Sequence, residues 1–210
     1  MDGPRLVIDA ARLAPSSDAE PTVDRAAVAL AVEALLRGFG DDPTRLELRE
    51  TPRRVAESWS ELLSGVGVDP VAVVEPLVGE TGSGLIMVRD IPVVSTCAHH
   101  LLPFVGTAAV AYLPGSAGTI AGLSKLPRLV DVLARRLQVQ ERLVREVADA
   151  LESALSPRGV FVLVEAEHLC MRARGARVQG ATVITTEVRG VYADDTAARA
   201  ELLQLARGSS

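Results

Sequence analysis

Two helical stripes run back to back between residues 124 and 155, with β-like sequence on either side. That order restricts the fold more than any other feature of the chain. "SKLPRLVDVLARRLQ" opens at Ser124, a candidate N-cap, and carries apolar residues at 126, 129, 130, 133, 134 and 137. That spacing places them on one helix face. "QERLVREVADALESALSPRG" repeats the pattern with Leu143, Val147, Leu151 and Leu155, and stops at Pro157 and Gly159. Before the pair stand "GLIMVRDIPVVS" (84–95), "FVGTAAVAYLP" (104–114) and "GTIAG" (118–122). After it come "GVFVLVEAEHLCMRARG" (159–175) and "ARVQGATVITTEVRGVY" (176–192), which read as antiparallel neighbours. Further helices are expected at 22–38, from Thr51 (as N-cap, with Pro52 first in the helix) to about Gly65, and in the tail "AARAELLQLAR". Helices, strands, two helices, then strands is an α+β order, with helices on one face of an antiparallel sheet.

The chain has 210 residues, enough for one sizeable core. Aromatics make up only 3%, so that core is built mainly from Val, Leu and Ala. A net charge of −5 argues against general nucleic-acid binding and against an anionic membrane surface, but leaves room for a small anionic ligand at a local basic cluster. The most apolar helical stretch, "AAVALAVEALL" (26–36), is short for a membrane span and carries Glu33. Residues 1–21, with acidic residues and prolines and no apolar signal core, read as a flexible N-terminal arm. Residues 22–210 read as a single domain. The expected compartment is the cytoplasm, where a Cys97–Cys170 disulfide is not expected.

All two cysteines and three histidines fall in two short stretches, "STCAHHLLPF" (95–104) and "HLC" (168–170). Zinc takes thiolate and imidazole ligands, and a catalytic site leaves one of four positions open. Cys97 and His100 form a C-x2-H pair. His168 and Cys170 would share a face if their strand stays extended. Two cysteines and one or two histidines can thus be assembled into a site, leaving histidines over for proton transfer. The plainer reading is that a lone cysteine is a small buried hydrophobe and a lone histidine a satisfied core group. Five such residues in two clusters weaken it.

Lys125 and Arg128 lie three apart at a helix start beside Ser124, where free N–H groups and the dipole favour a phosphate; the plainer alternative is a solvated basic face. On a continuing strand, Arg172 and Arg174 would project to the side of His168 and Cys170 and add guanidinium charge. In "QVQER" (138–142), a buried Glu141 carboxylate could accept two N–H groups from a guanine edge with the Gln140 amide beside it. Taken alone, that glutamate reads far more readily as a surface residue at a helix start.

The stretches "LRETPRRVAESWSELLSG", "VRDIPVVSTCAHHLLPFVG", "AYLPG", "GLSKLPRLVDVLARRLQVQERL", "VEAEHLCMRARG" and "ATVITTEVRG" resemble GTP cyclohydrolase I, over roughly residues 24–205. Cys-x-His-His, Gly-Leu-Ser-Lys, Gln-x-Gln-Glu-Arg and His-x-Cys stand in family order and spacing. The resemblance implies the tunnelling fold (T-fold). Five subunits close a β-barrel ring in that family, two rings stack into a homodecamer, and the active sites lie between subunits. It implies zinc held by Cys97, His100 and Cys170 with a water in the open position, and His99 and His168 as the acid–base pair. Ser124, Lys125, Arg128 and Arg174 correspond to residues that bind triphosphate and ribose, and Gln140 and Glu141 to the guanine-reading pair. The implied reaction is hydrolytic opening of the GTP imidazole ring, release of formate and reclosure to 7,8-dihydroneopterin triphosphate, at the entry to tetrahydrofolate and pterin synthesis. Two departures stand out. Ala98 replaces the acidic residue usual before the two histidines, and Ile184 stands where a hydroxyl is common. They keep two rivals open: a paralogue that serves another pathway (a deazapurine route, for example) or stops after ring opening, and a catalytically silent GTP-binding scaffold or regulator.

Overall fold

The computed structural model describes residues 23–208, so the arm read at 1–21 lies outside the described residues. The chain forms two compact units, one ending at Gly67 and the other starting at Val68. Among the described residues no helix is long and apolar enough to cross a membrane.

The first unit is a helix pair, α1 (Arg25–Gly38) and α2 (Thr51–Leu62). Asp24 caps α1 by accepting the N–H groups of Ala26 and Ala27. Thr51 is the first residue of α2 rather than its cap, because Glu50 is already in helical geometry and the Thr51 N–H is spent on Leu48 O. Pro52 occupies the opening turn as expected, where its missing N–H costs nothing. Leu30, Leu35, Phe39 and Leu46 are exposed among the described residues, so this unit presents apolar side chains at its surface.

The second unit holds α3 (Pro70–Val73), β1 (Pro76–Thr81), β2 (Ile86–Cys97), β3 (Pro103–Leu113), β4 (Thr119–Ala121), α4 (Lys125–Ala134), β5 (Leu137–Gln138), α5 (Gln140–Leu155), β6 (Gly159–His168), α6 (Leu169–Arg172), β7 (Val183–Gly190), α7 (Val191–Asp194) and α8 (Thr196–Arg207). Its main sheet runs β5-β2-β3-β6-β7, and β1 pairs with β4 in a separate ribbon. Every pair in the main sheet is antiparallel except the two-residue β5, which lies parallel to the end of β2.

Alternation along β3 and β6 sorts the core into two faces. Ala108, Val110, Tyr112, Val160, Val162 and Val164 meet the buried stripes of α4 and α5, including Leu129, Leu133, Leu143, Val147 and Leu151. Ala109, Ala111, Phe161 and Leu163 face the other way and are covered by Leu202 and its neighbours on α8. Helices therefore back both faces rather than one: the outward residues of β3 and β6 are themselves apolar and need cover. Close strand packing also explains Gly106, where a Cβ would come within 1.9 Å of Glu165 O on β6. Leu151 is fully buried in the larger core. Leu151→Ala should cost about 2–5 kcal/mol through lost burial and a residual cavity, read as a lower urea midpoint at unchanged slope.

The edges of the sheet are open. β7 has no outer partner, and β5 covers only Thr96 and Cys97 of β2 among the described residues. Long unpaired edges are templates for another strand.

Candidate metal centre and the groups around it

β2 delivers Cys97 to a tight turn. The Cys97 N–H donates to Leu102 O, the Leu101 N–H returns to Cys97 O, and Leu101 takes a left-handed φ of 55° to close the loop. The Ala98 N–H donates to Gln138 O at 2.8 Å, which pins the turn to β5. Gln138 is itself locked. Its Nε2 donates to Leu133 O and Glu146, and its Oε1 accepts from Arg142. This fully buried residue sets where the turn sits, and the sequence reading passed over it. Its place two residues before Gln140 in "QVQER" was the one cue, since the two-residue strand it belongs to carries no period of its own.

The second stretch does not stay extended. β3 begins at Pro103, so the ladder opposite β6 runs out just after the Phe104–His168 pair, and the chain turns into α6 at Leu169. The expectation that His168 and Cys170 share a strand face is overturned, and with it the placement of Arg172 and Arg174 along that face. Arg172 instead pairs with Glu167 at 3.0 Å. The helical turn folds Cys170 back toward Cys97, and the ligand atoms of Cys97, His100 and Cys170 all lie within 4.8 Å of one another. Both cysteines are free thiols.

Two thiols and an imidazole converging at this spacing fit a zinc ion with bonds of about 2.0–2.3 Å and a fourth position left open. The Cys170 thiol is pushed above its ordinary value, chiefly by burial and then by the neighbouring Cys97. Metal binding must therefore expel thiol protons. Zinc affinity should rise with pH, by about 10- to 100-fold between pH 6.5 and 7.5 for one or two protons released, measured by competition with a chelating indicator. A flat profile would mean the thiols are not ligands.

His168 stands apart from the triad. Its ring stacks on Phe104 with centroids 4.7 Å apart and planes 9° apart, and its Nε2 meets Gln140 Oε1 at 2.7 Å. Burial lowers its pKa, with a smaller opposing pull from the Glu141 carboxylate, so the neutral ring is favoured at neutral pH. His99 is exposed and meets His100 edge-on, 6.5 Å between centroids. Arg174 reaches the same place, its Nη1 2.8 Å from His100 Nε2.

The remaining candidates fall at two helix starts. Ser124 is in the N-cap position of α4 without a side-chain capping bond, which leaves its hydroxyl available. Lys125 Nζ pairs with Glu75 at 2.8 Å, and Arg128 is exposed one turn on. Glu141 lies in the first turn of α5 and is exposed in the single chain, not buried as the guanine-edge reading had it. Gln140 is buried, with its amide engaged by the sheet.

The family model described as GTP cyclohydrolase I matches residues 28–207. GTP cyclohydrolase 1 of Mycolicibacterium paratuberculosis is 50% identical over 182 residues, covering 87% of this chain and 89% of that relative. The enzyme of the same name from Mycobacterium ulcerans is 51% identical over 175 residues, with 83% and 87% covered. That from Corynebacterium aurimucosum is 50% identical over 177 residues, with 84% and 90% covered. Among solved structures, the archaeosine synthase QueF-Like in the apo form matches 52% of this chain and 96% of that chain at 16% identity and a TM-score of 0.40, too distant a likeness to carry weight.

Proposed function

The chain belongs to the GTP cyclohydrolase I family, and on that premise we propose that it opens the imidazole ring of GTP by hydrolysis, releases C8 as formate and recloses the product to 7,8-dihydroneopterin triphosphate. The observation that carries the reading is the convergence of Cys97, His100 and Cys170, with the neutral-favouring ring of His168 two residues from Cys170. Zinc held by those three side chains supplies a Lewis acid that brings the pKa of a water toward neutrality. A silent nucleotide binder has no use for such a centre.

The chain's own groups take the other tasks. His168 accepts and returns a proton as N9 departs, and His99, in the same turn as the ligand His100, is the second proton carrier. The guanidinium of Arg174 exchanges His100 for a substrate phosphate, and Lys125 exchanges Glu75 for another. Arg128 and the Ser124 hydroxyl extend the anion site along the start of α4. The exposed Glu141 carboxylate accepts two N–H groups of the guanine edge. The amide of Gln140 is already committed, so any reading of guanine by that residue falls to its backbone. Ala98 is compatible with all of this: its backbone N–H holds the turn against β5, and the triad forms with a methyl group in place of a carboxylate.

The functional unit is an assembly, a decamer of two five-subunit rings. The open edges of β2 and β7 and the exposed apolar residues of α1 support that reading, because edge-to-edge pairing would cover the former and subunit contact the latter. Residues 22–210 act together as one functional domain. Free thiols as metal ligands suit a reducing cytoplasm.

The deciding experiment is zinc-loaded protein with GTP, following formate and, after oxidation, the fluorescent pterin. Equal amounts of both are expected. Formate without pterin would assign the chain to ring opening alone, and neither product from zinc-loaded protein would favour the silent binder.

A further inference from the structure

A buried primary amide has one face that only donates and one that only accepts, and its surroundings decide which way it points. Gln140 is 1% exposed at the first position of α5. Its Nε2 lies 3.0 Å from Val164 O on β6, and 2.9 Å from Val183 O and 3.1 Å from Thr185 Oγ1 on β7. Two of those three partners are backbone carbonyls, which can only accept. Turning the amide over would set oxygen against oxygen in a buried site, so the NH2 group must face the sheet. The amide oxygen is thereby aimed at His168, 2.7 Å from Nε2.

A carbonyl oxygen cannot donate, so the ring nitrogen facing it must carry a proton. Neutral imidazole has a single N–H, and the other nitrogen, Nδ1, then holds the lone pair. Rotating the ring by half a turn would put a ring carbon against the oxygen at hydrogen-bond distance. The parallel face of Phe104, the cross-strand partner of His168, holds the ring plane. The ring is thus fixed by Gln140 on α5 and Phe104 on β3, and Gln140 is in turn held by β6 and β7.

We propose that Gln140 is a positioning residue that selects the Nε2–H tautomer of His168 and so leaves the lone pair of that ring on Nδ1. The inference rests on the cyclohydrolase reading for its place in catalysis. It reassigns the side chain of Gln140 from reading guanine to orienting the base.

The test uses the full-length, zinc-loaded protein with 13C- and 15N-labelled histidine. Only three imidazoles report, and the signals of His168 are those lost in His168→Ala. The wild-type ring is expected as Nε2–H. In Gln140→Met, which keeps length and removes both polar atoms, the Nδ1–H form should become populated. In parallel the kcat for formate release should fall about 10- to 100-fold, the range found when a supporting hydrogen-bond partner is removed, with KM for GTP within about threefold and zinc content unchanged. A wild-type ring protonated at Nδ1 would overturn the proposal, as would a Gln140→Met protein with unchanged tautomer and kcat, or one that raises KM alone. The wild-type spectrum decides even where the methionine variant fails to fold. It is recorded without turnover, so absence of formate would sink the cyclohydrolase reading without touching this one.

Discussion

Cys170→Ser is expected to take bound zinc from about one per chain to below about 0.1 after dialysis, and to lower formate release by about 1,000-fold or more. Serine keeps the size of the side chain but does not ionise near neutrality, so the site loses a thiolate and retains one thiolate and one imidazole. Removing a group that merely supports a ligand costs about 10- to 100-fold in metal affinity or activity, and removing a ligand from a set of three costs more. Cys170 is the better position to test than Cys97. Cys97 is built into the main core at the end of β2, whereas Cys170 sits half-buried on the short helix α6, so the fold should survive the change. Arg174→Ala serves as the comparison: it removes the guanidinium against His100 but no ligand, and should keep zinc. Metal content and far-ultraviolet circular dichroism on the same samples check the pair. A Cys170→Ser protein that holds stoichiometric zinc and turns over GTP would remove Cys170 from the centre.

The α+β order was legible because its signals are local. The stripes at 126–134 and 143–155 and the β-branched runs on either side each carry their own period, and α4, α5, β2, β3, β6 and β7 form in those stretches. The period misleads at Leu137, which reads as part of the helix stripe but falls in β5 beyond the end of α4 at Ala134, and after His168, where the expected strand gives way to α6. The cover over the second face was hidden. Nothing in "AARAELLQLAR" says which surface it will find, and only the pairing of β3 with β6 shows that Phe161 and Leu163 need a partner. The two-residue β5 was equally out of reach, since a strand that short has no period, and what holds it is the buried Gln138.

At the site, residue types carried more than spacing did. Five soft ligands in two stretches indicated a metal centre, and the ligand atoms of three of them converge within 4.8 Å of one another. The backbone reason given for it was wrong. An i, i+2 spacing reads as one strand face only while the ladder lasts, and the start of β3 at Pro103 ends it at His168. Cys170 reaches Cys97 through a helical turn, and that same turn separates Arg172 from Arg174. The partner of His168 was not legible at all. Gln140 belongs to a motif that resemblance ties to the base of the substrate, and only the packing of α5 across β6 and β7 shows its amide spent on the protein.

His168→Ala should lower kcat for formate by about 100- to 10,000-fold, the range for loss of a positioned general acid–base group, while zinc stays bound. Zinc should stay because Nε2 of this ring is engaged by Gln140 and the ring is outside the triad. The alanine variant has a second consequence that must be separated from the first. It leaves the buried Gln140 oxygen without its donor and opens a void against Phe104, at a cost of about 1–3 kcal/mol for the unsatisfied acceptor. A lower melting temperature would therefore accompany the loss of activity even if His168 had only a structural role. His168→Gln divides the two. Its terminal NH2 group can reach the position of Nε2 and satisfy the Gln140 oxygen, but an amide nitrogen cannot accept a proton at neutral pH. The glutamine variant should melt close to the wild type and remain as slow as the alanine variant. Recovery of turnover together with stability would make His168 a packing residue, and the proton transfer would then pass to His99.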